Sequence, residues 1–240
     1  MAGRARIIGP GRAGTALGRA MEVSGWTVVE FLGRHDAQGG AADGVDLLVI
    51  ATPDRVVAET ALAVEPVAET VVVHMSGALG LEVLLPHTRR ASVHPLVSLP
   101  GSGVGERRLL DGAWFAVDGD PLAGMLVDDL GGRAVVVSAK DRAAYHAAAV
   151  IASNHLVALL GQAERIAKSI GVPLEAFLEL AAGSVDNVRD LGTVNALTGP
   201  AARGDEATIR AHLEALEPAE RTSYLAVAEL ARRLAELSPS

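Results

Sequence analysis

The chain has seven histidines and no cysteine, which leaves imidazole as the side chain best matched to proton transfer near neutral pH. Three histidines stand in settings that could use it. His74 closes one apolar run, just before Met75-Ser76-Gly77. His94 closes another, just before Pro95, whose fixed φ stiffens the chain that follows. Both are expected along the carboxyl edge of a sheet, with His94 best placed to act as an acid. His146 lies in a long helical stretch. At 100° per residue Ser153 falls about 20° from it and Asn154 about 80°, so one helix surface can present all three to a substrate. The competing interpretation is that each is a satisfied structural residue, the commoner fate of a histidine in an apolar stretch. His87, His155 and His212 lack a comparable setting.

Other chemistries lack their residues. There is no thiolate, and no HxH or HExxH spacing, so no metal centre is expected. Ser76 has no Gly-x-Ser-x-Gly elbow around it, which argues against a serine hydrolase. The 21 basic and 29 acidic side chains leave a formal charge of −8. That charge gives no footprint for nucleic acid or anionic lipid, and a small-molecule partner is expected. Met1 to Arg6 contains no apolar stretch of signal-peptide type, and no apolar run long enough for a bilayer is read from the sequence. With no cysteine to oxidise, a reducing, cytoplasmic setting is expected.

The histidines need a frame and a reactant, and the N-terminal residues suggest both. Ala5 to Gly9 reads as a strand ending in GPGRAG, followed by a helix to Val23 and a second strand from Trp26 to Leu32. In this βαβ unit Gly9 permits the tight turn, Gly11 admits a pyrophosphate, and Gly14 lets helix and strand pack closely. Gly11, Arg12, Ala13 and Gly14 would bring backbone N–H groups and the helix dipole to the phosphates. Arg12 can also be a solvated charge on the first helical turn. About 20 residues beyond the glycines, an NAD enzyme places a carboxylate on the ribose, and an NADP enzyme places an arginine nearby. Gly33-Arg34-His35 occupies that place. Arg34 therefore points to NADP, with His35 at most assisting and Asp36 as the competing carboxylate. Thr52-Pro53 follows a continuous apolar run, Leu47 to Ala51, and is expected beside the nicotinamide ribose, although the same residues can simply cap the next helix.

Four further strands are read at Thr70 to His74, Ala91 to His94, Ala113 to Val117 and Ala134 to Val137, with helices from Asp54 and Pro121. The remainder is helical: Asp141 to Ile170, Leu174 to Asp190, Asp205 to Leu216 and Pro218 to Leu237. The first of these would be about 45 Å long and should lie against a partner. The expected fold is α/β, a Rossmann-type, mostly parallel sheet over residues 1–138, then an all-α domain over 139–240 that binds substrate and forms a homodimer.

Longer runs carry a resemblance over nearly the whole chain. They are GPGRAG at Gly9 to Gly14, HMSG at His74 to Gly77, VHPL at Val93 to Leu96, YHAAAVIASNHLVAL at Tyr145 to Leu159 and LTGPAARGD at Leu197 to Asp205. The chain resembles a family of sequence-assigned oxidoreductases that join a Rossmann-like domain to a helical domain of unknown function, similar to ketopantoate reductases and 6-phosphogluconate-dehydrogenase-like enzymes. The resemblance implies an NADPH-dependent reductase of a small 2-oxo acid, with ketopantoate first. Prephenate- or pyrroline-5-carboxylate-type substrates remain alternatives, as does a non-catalytic NADPH sensor. His94-Pro95 following Ser76-Gly77 is also similar to prephenate dehydrogenases, which implies His94 as acid with Ser76 beside it on the substrate. Asn154 would then help orient the reacting oxygen, and His146 would support it. Arg203 is the candidate for a substrate carboxylate across a dimer interface, or else an ion-pair partner of Asp205 or Glu206. The lysine that ketopantoate reductases carry four residues before an asparagine is replaced here by Val150, so a histidine must take over the proton.

Overall fold

The computed structural model describes residues 3–36, 38–100 and 103–237. The chain packs as two compact units, one ending at Ser153 and the other beginning at Asn154.

The first unit holds a seven-stranded sheet in the order β2-β1-β3-β4-β5-β6-β7. The strands are β1 (Arg4–Ile8), β2 (Thr27–Leu32), β3 (Leu47–Ile50), β4 (Val71–His74), β5 (Arg90–Pro95), β6 (Trp114–Gly119) and β7 (Arg133–Val136). All pairings are parallel except β5 with β6. β3 and the Val71–Val73 run of β4 are apolar, and both strands are buried at every position, as strands covered on both faces must be. Their alternate side chains feed two cores. Leu47, Val49, Val71 and Val73 pack toward α1 (Arg12–Val23), α3 (Gly105–Leu110) and α4 (Leu122–Asp129). Leu48, Ile50 and Val72 pack toward Val57, Ala61 and Val64, on and just after α2 (Asp54–Leu62), and toward Leu84.

Register puts the chemistry on one edge. Ile8 pairs with Ile50, Ile50 with His74, and His74 with Ser92. Two residues further along each chain come Pro10, Thr52, Ser76 and His94, so a single row of strand ends carries four of the expected site segments. His94 and Pro95 remain inside β5, paired with Ala116 and Phe115. The turn expected after His94 therefore starts later, because the antiparallel partner extends the strand through the proline.

The expected single helix from Asp141 is 28 residues long but not uniform. It comprises α5 (Arg142–Val150), a π-helical turn (Ile151–His155) and α6 (Leu156–Ser169). Each π residue turns the helix by less than 100°, so the projection that placed Ser153 and Asn154 near His146 does not hold across the turn. By length and composition this helix could cross a membrane, its most apolar 18-residue window reaching a mean hydropathy of 1.4 with none of it buried, which revises the expectation that no run is long enough. The sheet's last strand ends at Val136, and α5 packs with the sheet unit.

The second unit contains α6, α7 (Leu174–Ala196), α8 (Glu206–Ala215) and α9 (Pro218–Ala235). α7 runs past the expected stop at Asp190, with a break at Gly192, where φ is 76°. Asp205 caps α8 by accepting from the Thr208 N–H at 3.0 Å. Arg165 donates twice to Glu220, at 2.6 and 3.0 Å, and joins α6 to α9.

Candidate functional site

The order β2-β1-β3 makes β1 the switch point of the sheet, where open α/β folds bind ligands beyond the strand ends. A cleft of about 640 Å³ opens there. Ile8 to Gly11, Gly33, Arg34, Gln38, Thr52 and Pro53 contribute to its lining, together with one face of α2. Gly9 sits at φ 97°, a conformation that strains any residue with a Cβ, and a Cβ there would lie 2.9 Å from the Ala51 carbonyl. Gly11 is the opposite case. A Cβ on it would meet nothing within 4 Å, so its backbone faces open space inside the cleft wall.

These features fit a dinucleotide. Gly9 and Gly11 bring bare backbone to the cleft, Pro53 starts α2 at its rim, and Thr52 Oγ1 is buried without a hydrogen-bond partner. Asp36, the carboxylate that could favour NAD, is turned back on its own loop and accepts from the Gly33 N–H at 2.6 Å. Arg34 is exposed on the cleft wall. Gly14 is buried beneath Gly9, and Ala13 packs against the apolar core, so both build the turn without lining the cleft. Arg12 is exposed at the start of α1 and is not part of the lining.

The second half of the site is a histidine pair on the same edge. The rings of His94 and His146 lie 6.1 Å apart and close to perpendicular. Both press on Gly77. A Cβ at Gly77 would stand 2.7 Å from His146 Nδ1, 2.8 Å from His94 Cε1 and 2.9 Å from His94 Nε2. His94 Nδ1 shares a 2.6 Å hydrogen bond with the hydroxyl of Tyr145, which leaves Nε2 as its working nitrogen. His146 Nδ1 is buried with no partner.

Behind the pair lies Arg142, the largest fully buried side chain among the described residues. It donates to Ser92 Oγ at 2.5 Å and to the carbonyls of Ser76 and Val137 at 3.4 Å, and its nearest carboxylate oxygen, on Asp118, is 3.8 Å away. This cation shapes the protonation of its neighbours. Burial, then His146 and Arg142, bring the pKa of His94 down to about 4, with Asp54 pulling the other way. Burial and Arg142 bring His74 to about 4 as well. Burial raises Tyr145 to about 12 against the pull of Arg142. Near pH 7 the His94–Tyr145 pair is therefore uncharged, and the surroundings disfavour a cation there.

Two expected site residues do other work. His74 has no exposed surface; its Nδ1 accepts from the Ser76 N–H and its Nε2 contacts the Gly80 carbonyl, so it braces the loop after β4. Ser76 Oγ donates to Asp54 at 2.8 Å and accepts from the N–H groups of Ala78 and Leu79, which fills its hydrogen-bonding capacity and leaves none for a substrate oxygen. Ser153 Oγ donates to the Ala149 carbonyl at 2.6 Å. Asn154 and Arg203 belong to the second unit, where Arg203 is exposed and contributes to a 410 Å³ hollow with Val194, Leu197, Thr198, Ala202 and Ala235. Tyr145, Gly77 and Arg142 were not singled out from sequence. Tyr145 and Gly77 stood inside the resembling runs, whereas Arg142 reads as an ordinary solvated charge at a helix start. Among the described residues no cluster of His, Asp and Glu could hold a metal ion.

A mostly parallel sheet with a glycine turn at its switch point, followed by a helical unit, defines a Rossmann-like α/β protein. A family profile described as a domain of unknown function, DUF2520, matches residues 114–231. No curated protein matches the sequence. Among solved structures, a provisionally assigned NADP oxidoreductase of Bacteroides fragilis is similar with a TM-score of 0.78 at 19% identity, over 97% of this chain and 98% of that one. A protein of Thermotoga maritima reaches 0.73 at 25% identity, over 97% and 98%. A pyrroline-5-carboxylate reductase of Streptococcus pyogenes reaches 0.63 at 15% identity, over 97% and 99%.

Proposed function

We propose that the protein is an NADPH-dependent reductase of a small carbonyl compound, a 2-oxo acid of the ketopantoate class being the first candidate. The observation that carries this reading is the pairing, along one sheet edge, of a cleft lined by the glycine turn with an uncharged His94–Tyr145 pair backed by a buried cation. Gly9, Gly11, Thr52 and Pro53 would hold the dinucleotide backbone and Arg34 its 2′-phosphate. NADPH bound there supplies a hydride.

The protein's own part is the proton. At pH 7 only about one His94 in a thousand is an imidazolium when its pKa is about 4, so a charged acid is not what this site offers. A developing alkoxide is about as basic as hydroxide, whose conjugate acid has a pKa of ~15.7. It can take the Nε2 proton of His94 while Tyr145, at about 12, passes its own proton to Nδ1. Tyr145 is partly exposed and recovers its proton from solvent. Arg142 favours negative charge nearby, which suits an oxyanion better than an iminium. An imine substrate is the second reading, favoured by the likeness to a pyrroline-5-carboxylate reductase.

The test follows NADPH oxidation with ketopantoate, a panel of small 2-oxo acids and pyrroline-5-carboxylate, with NADH in parallel. Turnover of an oxo acid with NADPH is expected, and His94→Ala should lose at least about 100-fold in kcat. Turnover of the imine alone would move the assignment to the second reading. NADPH binding without turnover of anything would make the chain a sensor.

The proposal includes a homodimer. Among its described residues the helical unit buries only Gln162, Ala167, Ile209 and Ala228, while Val157, Leu180, Leu191 and Leu230 are more than half exposed. So small a core does not stabilise a helical unit alone. Charged residues such as Glu164, Arg165, Glu179 and Arg189 interrupt the apolar surface, which suits a second copy with a polar rim better than lipid. Sedimentation equilibrium should give twice 24.7 kDa. A monomer without detergent, or solubility only in detergent, would refute it.

A further inference from the structure

The cleft carries a second cation that the NADP reading does not use. Arg55, Glu59 and Ala63 recur every fourth residue from the first turn of α2 onward, with Val56 and Thr60 beside them, and all five line the cleft. The cleft therefore runs along α2, facing the loop that carries Gly33, Arg34 and Gln38. Arginines elsewhere are mostly engaged: Arg6 with the Ala41 carbonyl, Arg89 with Asp120, Arg232 with Glu206. The side chains of Arg34 and Arg55 make no hydrogen bond or ion pair among the described residues, and Arg55 does not pair with Glu59 one turn away. Two unpaired guanidiniums from two different elements thus share one cavity with a single carboxylate.

We infer that Arg55 is the second half of a phosphate clamp, holding with Arg34 the 2′-phosphomonoester of an adenine dinucleotide. This rests on the NADPH reading and deepens it. A phosphomonoester carries close to two negative charges at neutral pH, and Glu59 in the same cleft opposes it. One exposed arginine would be largely offset by that carboxylate; two leave a net positive site matched to a dianion. A plain ribose 2′-hydroxyl has no charge to offer either arginine, so Arg55 contributes to choosing NADPH over NADH as well as to affinity.

The probes are two adenosine fragments, adenosine 2′,5′-bisphosphate and adenosine 5′-monophosphate, titrated calorimetrically into wild-type protein and into Arg34→Ala, Arg55→Ala and Glu59→Gln. Arg55→Ala should weaken the bisphosphate by about 10- to 100-fold, the range of a charge-assisted hydrogen bond, and change the monophosphate by less than about twofold. Glu59→Gln should tighten the bisphosphate only. The monophosphate serves as the folding control within each variant. Equal losses for both fragments, or none for either, would overturn the assignment of Arg55 while leaving NADPH binding intact. If the wild-type chain binds neither fragment nor NADPH, the failure lies with the functional reading itself.

Discussion

Gly77→Ala is expected to reduce kcat/KM by on the order of 100-fold while leaving NADPH affinity and the fold close to wild type. The added methyl would need space already taken by His146 Nδ1 and by Cε1 and Nε2 of His94, all within 2.9 Å. The His94 ring is not a free end that can swing aside, whereas His146 is held by packing and not by a hydrogen bond at Nδ1. His94 is tied at Nδ1 to Tyr145 and sits on a strand paired across Ala116, and His146 rises from the helix that Arg142 anchors. Relief must come from displacing the rings by several tenths of an ångström or more. A misplacement of about 1 Å at a reacting group costs about that rate factor, while the overpacking itself costs about 1–3 kcal/mol of stability. The comparison that isolates the effect is Gly77→Ala against Gly77→Ala with His146→Ala, which removes one of the two clashes. The double variant should recover part of the stability and, if His94 is the working group, part of the rate. Activity of the single variant within a few-fold of wild type would remove the histidine pair from the site.

The sheet was legible because its signals are compositional. Continuous apolar runs bounded by turn residues, LLVI and VVV, mark the two central strands β3 and β4, which are buried at every position. The glycine turn was legible for a different reason: close backbone approach at Gly9 and Gly14 admits no other residue. What stayed hidden depends on partners distant in sequence. α3 is six residues long, too short for a helical period to declare itself. The π turn at Ile151–His155 changes backbone hydrogen bonding without changing the apolar pattern, so a uniform wheel drawn from His146 drifts past residue 150. Ser76 and His74 read as edge residues, and they are at the edge. Only the loop that follows shows their hydrogen bonds spent on Asp54, Gly80 and neighbouring amides. The state of His94 was least legible of all, since a sequence cannot show that a buried arginine lies behind it.

That arginine supplies the other large effect. Arg142→Ala is expected to destabilise the protein by about 2–4 kcal/mol, since it leaves a cavity and strips Ser92 Oγ and the Ser76 and Val137 carbonyls of a donor. Its sharper signature lies in pH. His74 and His94 are held at about 4 in the folded chain against about 6.5 unfolded, so between those values the unfolded state binds more protons than the native one. Their contribution is full above pH 6.5 and is lost as pH falls toward 4, and wild-type stability to urea should decline steeply across that interval. Removing Arg142 takes away one cause that lowers both histidines and leaves burial, the larger cause, in place. Both values should rise part of the way toward 6.5, so the stability of Arg142→Ala should depend less on pH between 6.5 and 4. Arg142→Lys, which keeps the charge but not the fork of donors, should retain the low histidine values while losing part of the stability. Histidine ring-proton titration by NMR decides the point. If His94 titrates at the same pH in wild type and in folded Arg142→Ala, Arg142 acts only as a structural tie and the electrostatic account of the site fails.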